Sequence, residues 1–328
     1  MIKNDTKAFK PAFGLKNRHI QTIFPSLFRD LDSPSYEVEE FHLSDGDFLE
    51  CYWHKIEKDK QTTPLVILFH GLAGSYKSSY ISGIVNALDK SGFSSVVMHF
   101  RGCAKKENLL ARSYHSGDTA DAKEFLKYIK EKHPQRELFG VGYSLGANML
   151  LKLLGELKKE SPFVAAVAIS APMQLDICAS KMNRGFSRFY QHLLLKDLNR
   201  ALEKKLERHN LDKIIGVSKQ RVKELKSFWE FDDAYTAPIH GFKSAAHYYK
   251  ESSSRQYLKD IETPTLIIHA KDDPFMTPQI LPKESELSPS VELEVQEHGG
   301  HVGFVGGTLL KPEYWLDKRV VDYFTDSL

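Results

Sequence analysis

The sequence predicts an α/β fold: a mostly parallel, doubly wound sheet with an N-terminal antiparallel hairpin and a helical cap insertion. Three observations carry this. Short, nearly continuous apolar runs, "TPLVILFHG", "FSSVVMHF", "RELFGVGYS", "PFVAAVAIS" and "TPTLIIHA", have the composition of strands buried on both faces. Helical patterns alternate with them: "SYISGIVNALDKSG" closes on a glycine, "DTADAKEFLKYIKEKHP" closes on a proline, and "LGANMLLKLLGELKKE" follows. Ahead of both, the period-2 segments "YEVEEFHL" and "DFLECYWH" flank the turn signal "SDGD".

The alternation stops over residues 173–255, where "FYQHLLLKDLNRALEKKLERHN" and "KQRVKELKSFWEF" are helical and no buried strand is evident. It resumes at "TPTLIIHA", continues through "VELEVQE" and ends on the amphipathic "PEYWLDKRVVDYFTDSL". The expected organisation is one domain over residues 1–328 with a helical cap inserted at 173–255. At 328 residues such a domain has a large core available.

Lys and Arg number 45 against 43 Asp and Glu, so no overall field draws the chain to nucleic acid or to an anionic membrane. The polar start "MIKNDTKAFKP" has no apolar h-region, and no run approaches the length needed to span a bilayer. Cys51, Cys103 and Cys178 are widely spaced and odd in number, which fits a reduced, cytoplasmic chain with cysteines as packing residues.

In "GVGYSLGAN", Gly142, Ser144 and Gly146 form G-x-S-x-G. The bare pattern is common, but here a strand runs into it and a helix runs out, the context in which a serine projects from a sharp turn as a nucleophile. A serine hydroxyl needs a base, and the base needs an orienting acid. In this fold they follow in the order Ser, Asp or Glu, His. "AKDDPFMTP" supplies Asp272 and Asp273 after a strand, and "QEHGGHVGF" supplies His298 and His301. The glycines exclude a helical metal pair, so a cation there would need ligands from far away. His301, deeper in the loop, is the expected base and His298 a support for the loop. Backbone N–H groups of Leu145 and Leu72 are the expected oxyanion donors.

Several long stretches, "NRHIQTIFPSLFR", "FHGLAGSYKSSY", "FRGCAKKENLLARSYHSGDTAD", "GVGYSLGANMLLKLLGE", "AKDDPFMTP" and "EHGGHVGF", make nearly the whole chain resemble the YheT-type α/β-hydrolases, the branch that includes ABHD-type lipid esterases. The resemblance implies a serine hydrolase of carboxylic esters with Ser144, Asp273 and His301 as its triad. Asp273 is preferred to Asp272 because the family's acid is followed by a short apolar pair leading to a proline, as Asp273 is in "DPFMTP". "RGCAKKEN" departs from the family, which commonly carries Ser-Gly where Ala-Lys-Lys stands here, in a loop near the pocket.

His115 is expected in a helix-capping segment with Ser116 and Asp118, and His19 as a structural residue of an arm over the sheet edge. Phe186, Phe189, Tyr190, Phe228 and Trp229 are candidates to roof an acyl pocket. The predicted activity is two-step acyl transfer to water on a small ester with an apolar acyl group, needing neither cofactor nor metal. Thioester, amide or other chemistry on the same scaffold is the alternative, and a noncatalytic binding protein a third.

Overall fold

A computed structural model of the chain describes residues 8–29, 33–55 and 62–328. The polar start of the chain, residues 1–7, lies outside them. Helix α1 (Arg18–Phe28) comes first, capped by the Asn17 side chain, which accepts from the N–H groups of His19 and Ile20. The hairpin follows as β1 (Glu37–His42) and β2 (Phe48–His54), paired antiparallel from Glu37↔Trp53 to His42↔Phe48. Then come β3 (Leu65–Phe69), α2 (Ser79–Lys90), β4 (Ser94–Met98), α3 (Ala120–Lys132), β5 (Leu138–Tyr143), α4 (Leu145–Leu157) and β6 (Phe163–Ile169).

The predicted interruption is a run of helices: α5 (Leu175–Met182), α6 (Ser187–Arg208), α7 (Leu211–Ile215), α8 (Lys219–Glu224), α9 (Phe228–Phe231), a π-helical turn (Asp232–Thr236), α10 (Ala237–Ile239) and α11 (Ala245–Ser252). The chain returns through β7 (Thr265–Ala270) and β8 (Val291–Gln296), then a small hairpin of β9 (Val305–Gly307) and β10 (Pro312–Tyr314), and ends on α12 (Trp315–Thr325).

The eight-stranded sheet has the order β1-β2-β4-β3-β5-β6-β7-β8. β2 joins β4 antiparallel, which attaches the hairpin to the sheet, and β4 through β8 are parallel. As the apolar runs require, every residue of β3, β4, β5 and β7 is buried. One core layer joins the sheet to α3 and α4, with Phe125 and Leu150 at its centre; the other joins it to α2 and α12 through Ile84 and Phe324. The helical run has clusters of its own, around Leu195, Leu202 and Val222 and around Leu175, Ala245 and Tyr249.

The final helix starts later than its amphipathic pattern suggests, because Pro312–Tyr314 pairs with β9 instead. Strand order reverses about β3, whose neighbours are β4 on one side and β5 on the other. A crevice at the carboxyl ends of β3 and β5 is where such sheets bind ligands. No helix among the described residues is long and apolar enough to cross a membrane.

Candidate active site

Ser144 stands between β5 and α4 with φ 51° and ψ −117°, a strained conformation for a residue with a side chain. The turn is pinned on both sides. The Ser144 N–H donates to the Ile169 carbonyl at 2.8 Å, and the Ser144 carbonyl accepts from the N–H groups of Ala147 and Asn148. The flanking glycines are set by close approach: a Cβ on Gly146 would collide with the Phe69 and His70 carbonyls, and one on Gly142 would lie 2.6 Å from the Ala147 Cα. The elbow is therefore wedged against the end of β3.

The loop after β8 delivers His301. Its ring Nδ1 lies 2.8 Å from Asp273 Oδ2, and its Nε2 lies 2.9 Å from Ser144 Oγ. A carboxylate only accepts, so Nδ1 carries the proton and Nε2 is left to accept from the serine hydroxyl. Asp273 is buried in the loop after β7, and its other oxygen accepts from the Phe275 N–H at 2.8 Å. The Phe275 ring stacks on the imidazole, centroids 4.0 Å apart and planes within 12°.

The two adjacent aspartates divide their work. Asp272 accepts from the Gly300 N–H at 3.0 Å and faces His298 Nδ1 at 3.3 Å, so His298 and His301 turn to different carboxylates and do not converge on a cation.

Helix α1 is part of the site, which the sequence reading missed. It packs on the His301 loop, not simply over the sheet edge. Thr22 Oγ1 accepts from the His301 N–H at 2.9 Å, and Gln21 accepts from the Val305 N–H at 2.7 Å while donating to the Val305 carbonyl. A Cβ on Gly300 would meet the Arg18 carbonyl oxygen at 2.6 Å and one on Gly303 the Gln21 carbonyl oxygen, so this helix admits only glycine at both positions of "HGGHVGF". His19 links this helix to α6, with its ring 4.5 Å from Phe186 and its Nδ1 3.2 Å from the Tyr190 hydroxyl.

On the opposite side, the loop after β3 is held by two tyrosines. The Gly71 N–H donates to the Tyr80 hydroxyl and the Ala73 N–H to the Tyr114 hydroxyl, both at 2.9 Å. Between them the Leu72 N–H meets no acceptor among the described residues, nor does the Leu145 N–H at the start of α4. Two free donors beside a serine, one at a helix N-terminus, are suited to a developing oxyanion.

His70 and His99 buttress this loop as neutral rings. His70 donates to the Gly71 carbonyl and accepts from the Phe100 N–H, and burial pushes its pKa down to about 4. His99 accepts from the Tyr76 N–H and donates to the Glu50 carbonyl, with its pKa pushed down by burial to about 3.

Ser144, His301, Leu72 and Leu145 open into a cavity of about 950 Å³, walled by α1, α5, α6, the loop 101–116 and the segment 228–249. Of the five aromatic candidates, Phe189, Tyr190 and Phe228 line it. Phe186 and Trp229 do not: Phe186 is half in solvent against His19, and Trp229 is turned onto Tyr249 at 4.7 Å. Cys103 lines the cavity as a thiol whose pKa burial raises to about 12. In the departing "RGCAKKEN" stretch, Arg101, Gly102, Cys103, Glu107 and Asn108 line the cavity. Lys106 is tied to Glu40 instead.

The capping expectation for 115–118 fails. Helix α3 begins at Ala120 without a side-chain cap; the Ser116 N–H donates to the Tyr248 hydroxyl, and Asp118 pairs with Arg112 at 2.8 Å. Tertiary partners have taken the groups a cap would use. His115 lines the cavity and packs edge-on against His240. His115, Asp118 and His240 are close enough to share a cation. Each already has a protein partner: His115 accepts from the Gly117 N–H, Asp118 holds Arg112, and His240 faces the Thr236 and Ser113 carbonyls.

A family model described as "alpha/beta hydrolase fold" matches residues 64–308. The protein YheT of Escherichia coli (strain K12) is 43% identical over 98% of this chain and 94% of its own. A "medium-chain fatty acid ethyl ester synthase/esterase 2" of Saccharomyces cerevisiae is 31% identical over 80% of this chain and 62% of its own. Among solved structures, the Pyrococcus furiosus esterase Pf2001 superposes with a TM-score of 0.56 at 18% identity, covering 98% of this chain and 99% of that one, a likeness of fold.

Proposed function

This chain belongs to the α/β-hydrolase fold family, in its YheT-type branch, and from that premise we propose that it is a serine hydrolase cleaving carboxylic esters through an acyl-enzyme. The observation that carries the reading is the unbroken chain of contacts from Asp273 to His301 to Ser144, at 2.8 and 2.9 Å.

In the proposed reaction His301 Nε2 takes the Ser144 proton as Oγ attacks the ester carbonyl carbon. The carbonyl oxygen, now negative, swings toward the Leu72 and Leu145 N–H groups, each of which would contribute about 3 to 4 kcal/mol of transition-state stabilisation. Collapse expels the alcohol, which takes its proton from His301. Water then attacks the acyl-enzyme with His301 again as base, and carboxylic acid and free Ser144 are released. Asp273 holds the imidazole tautomer and favours its charged form; Phe275 and Thr22 fix where the ring lies. The helical segment at 173–255 is the proposed cap, and the apolar wall it adds is the proposed acyl site.

The test is hydrolysis of p-nitrophenyl esters of increasing chain length. The reading predicts turnover by the wild type and losses of roughly 10⁴- to 10⁶-fold in kcat in Ser144→Ala and His301→Ala. Thioester or amide substrates turned over while esters are not would move the chemistry to the other acyl transfers the same triad serves.

A further inference from the structure

Three acids stand in the cavity wall: Glu107, Asp197 and Asp232. Glu107 pairs with Lys204 at 2.8 Å, and Asp197 is exposed to solvent. Asp232 is different. It opens the π-helical turn Asp232–Thr236, an element that recurs at functional sites, and it lies among wall residues that are mostly aromatic: Phe231, Tyr235, Tyr248 and Tyr249. The Tyr249 hydroxyl donates to Asp232 Oδ2 at 2.6 Å, and the Thr236 hydroxyl also bonds to this carboxylate. Among the described residues no lysine, arginine or histidine forms an ion pair with it.

A carboxylate offers about four acceptor positions, and two hydroxyls occupy about half of them. Burial raises the Asp232 pKa to about 6, so the group is still mostly ionised at neutral pH. Asp232 is half-buried and opens onto the cavity, where an acceptor without a cation favours further donors. Tyr249 and Thr236 alone could be held by a neutral side chain, so the remaining acceptor capacity is the feature that needs a partner.

We propose that Asp232 is the polar anchor of the substrate cavity, accepting a hydrogen bond from a hydroxyl of the ester. The enzyme then selects esters that carry a free hydroxyl away from the scissile carbonyl over their purely alkyl counterparts. The inference rests on the ester-hydrolase reading above and narrows its substrate class.

Two matched sets of esters test it. On the acyl side, p-nitrophenyl ω-hydroxyalkanoates are compared with the alkanoates and ω-methoxyalkanoates of the same length; on the alcohol side, 2,3-dihydroxypropyl esters are compared with propyl esters. The readout is the ratio of kcat/KM within each pair. In the wild type one set favours the hydroxyl ester, and Asp232→Leu lowers that ratio by about tenfold or more, the size of a lost hydrogen bond to a charged acceptor. Asp232→Asn, which keeps the shape and one acceptor, falls between.

Tyr249→Phe separates anchoring from scaffolding. It frees acceptor capacity on Asp232, so the hydroxyl preference persists; if the carboxylate served only to hold Tyr249, Tyr249→Phe would act like Asp232→Leu. Equal turnover of both members of every pair by the wild type, or a ratio unmoved in folded Asp232→Leu and Asp232→Asn, overturns the proposal. Failure to cleave any of the esters would instead sink the hydrolase reading on which it rests.

Discussion

The sheet body and the helical segment over it are built on different terms. In the body, whole strands are buried, and Ser144, Asp273 and His301 sit on three loops at one edge of one sheet. The segment over it is a run of helices, several of only three to six residues, with small clusters of its own. It meets the body through aromatic contacts such as Tyr190 on Phe275, ring centroids 5.0 Å apart, and through polar joints. Lys205 on α6 donates to the Asn108 side chain at 2.6 Å and to the Leu110 carbonyl at 2.9 Å; the Ser187 hydroxyl donates to the Pro274 carbonyl at 2.6 Å. The contacts among Asp273, His301 and Ser144 lie in the body, while much of the wall of the cavity they open into comes from the helical segment.

The largest effect that would sharpen the comparison lies between neighbours in one body loop. Asp273→Asn should lower kcat by about 10⁴-fold, because the amide can leave the imidazole in the wrong tautomer. Asp272→Asn touches only the Gly300 N–H and His298, and its loss should be far smaller. Equal losses in the two variants would show that the acid has been assigned to the wrong aspartate.

The second effect concerns the stability of the body. The pKa values of His70 and His99 are lower in the folded protein, about 4 and about 3, than the 6.5 of an unfolded chain. Below pH 6.5 the unfolded state therefore binds more protons, and stability is lost as pH falls from there toward 4. Each ring contributes a slope of up to about 1.4 kcal/mol per pH unit. His115, in the cavity wall, and buried His269 act in the same direction. Urea melts at pH 7.5, 6 and 5 should show a steepening decline, and a flat profile would mean that these rings are charged in the fold.

The smallest effect belongs to the helical segment. Phe228→Ala removes a ring from the cavity wall, so the preferred acyl chain should lengthen, with a change of about tenfold in the ratio of long to short esters. A chain-length profile identical to the wild type would place the acyl group elsewhere in the cavity.

The parts legible in the sequence follow the same divide. Strands buried on both faces leave unbroken apolar runs, and the elbow leaves its glycines, because a close approach of backbone to backbone admits nothing larger. The choice of Asp273 came from resemblance; composition left two aspartates equivalent, and only the folded loop turns one to His301 and the other to His298.

What stayed hidden depends on contacts between distant parts of the chain. Thr22 and His301 are 279 positions apart, and no local pattern announces their bond. The aromatic residues of the helical segment have helical spacing whether they face the cavity, as Phe228 does, or another helix, as Trp229 does. The segment 115–118 has the composition of a cap, yet its groups are taken by Tyr248 and Arg112.

The proposed chemistry depends first on Ser144 being an activated nucleophile. The most direct measurement is reaction of the purified chain with a fluorophosphonate, followed by peptide mass spectrometry to locate the adduct. One adduct is expected, on Ser144, formed by the wild type, absent from Ser144→Ala and strongly slowed in His301→Ala. A folded wild type that forms no adduct, or one that carries it on another residue, would contradict it.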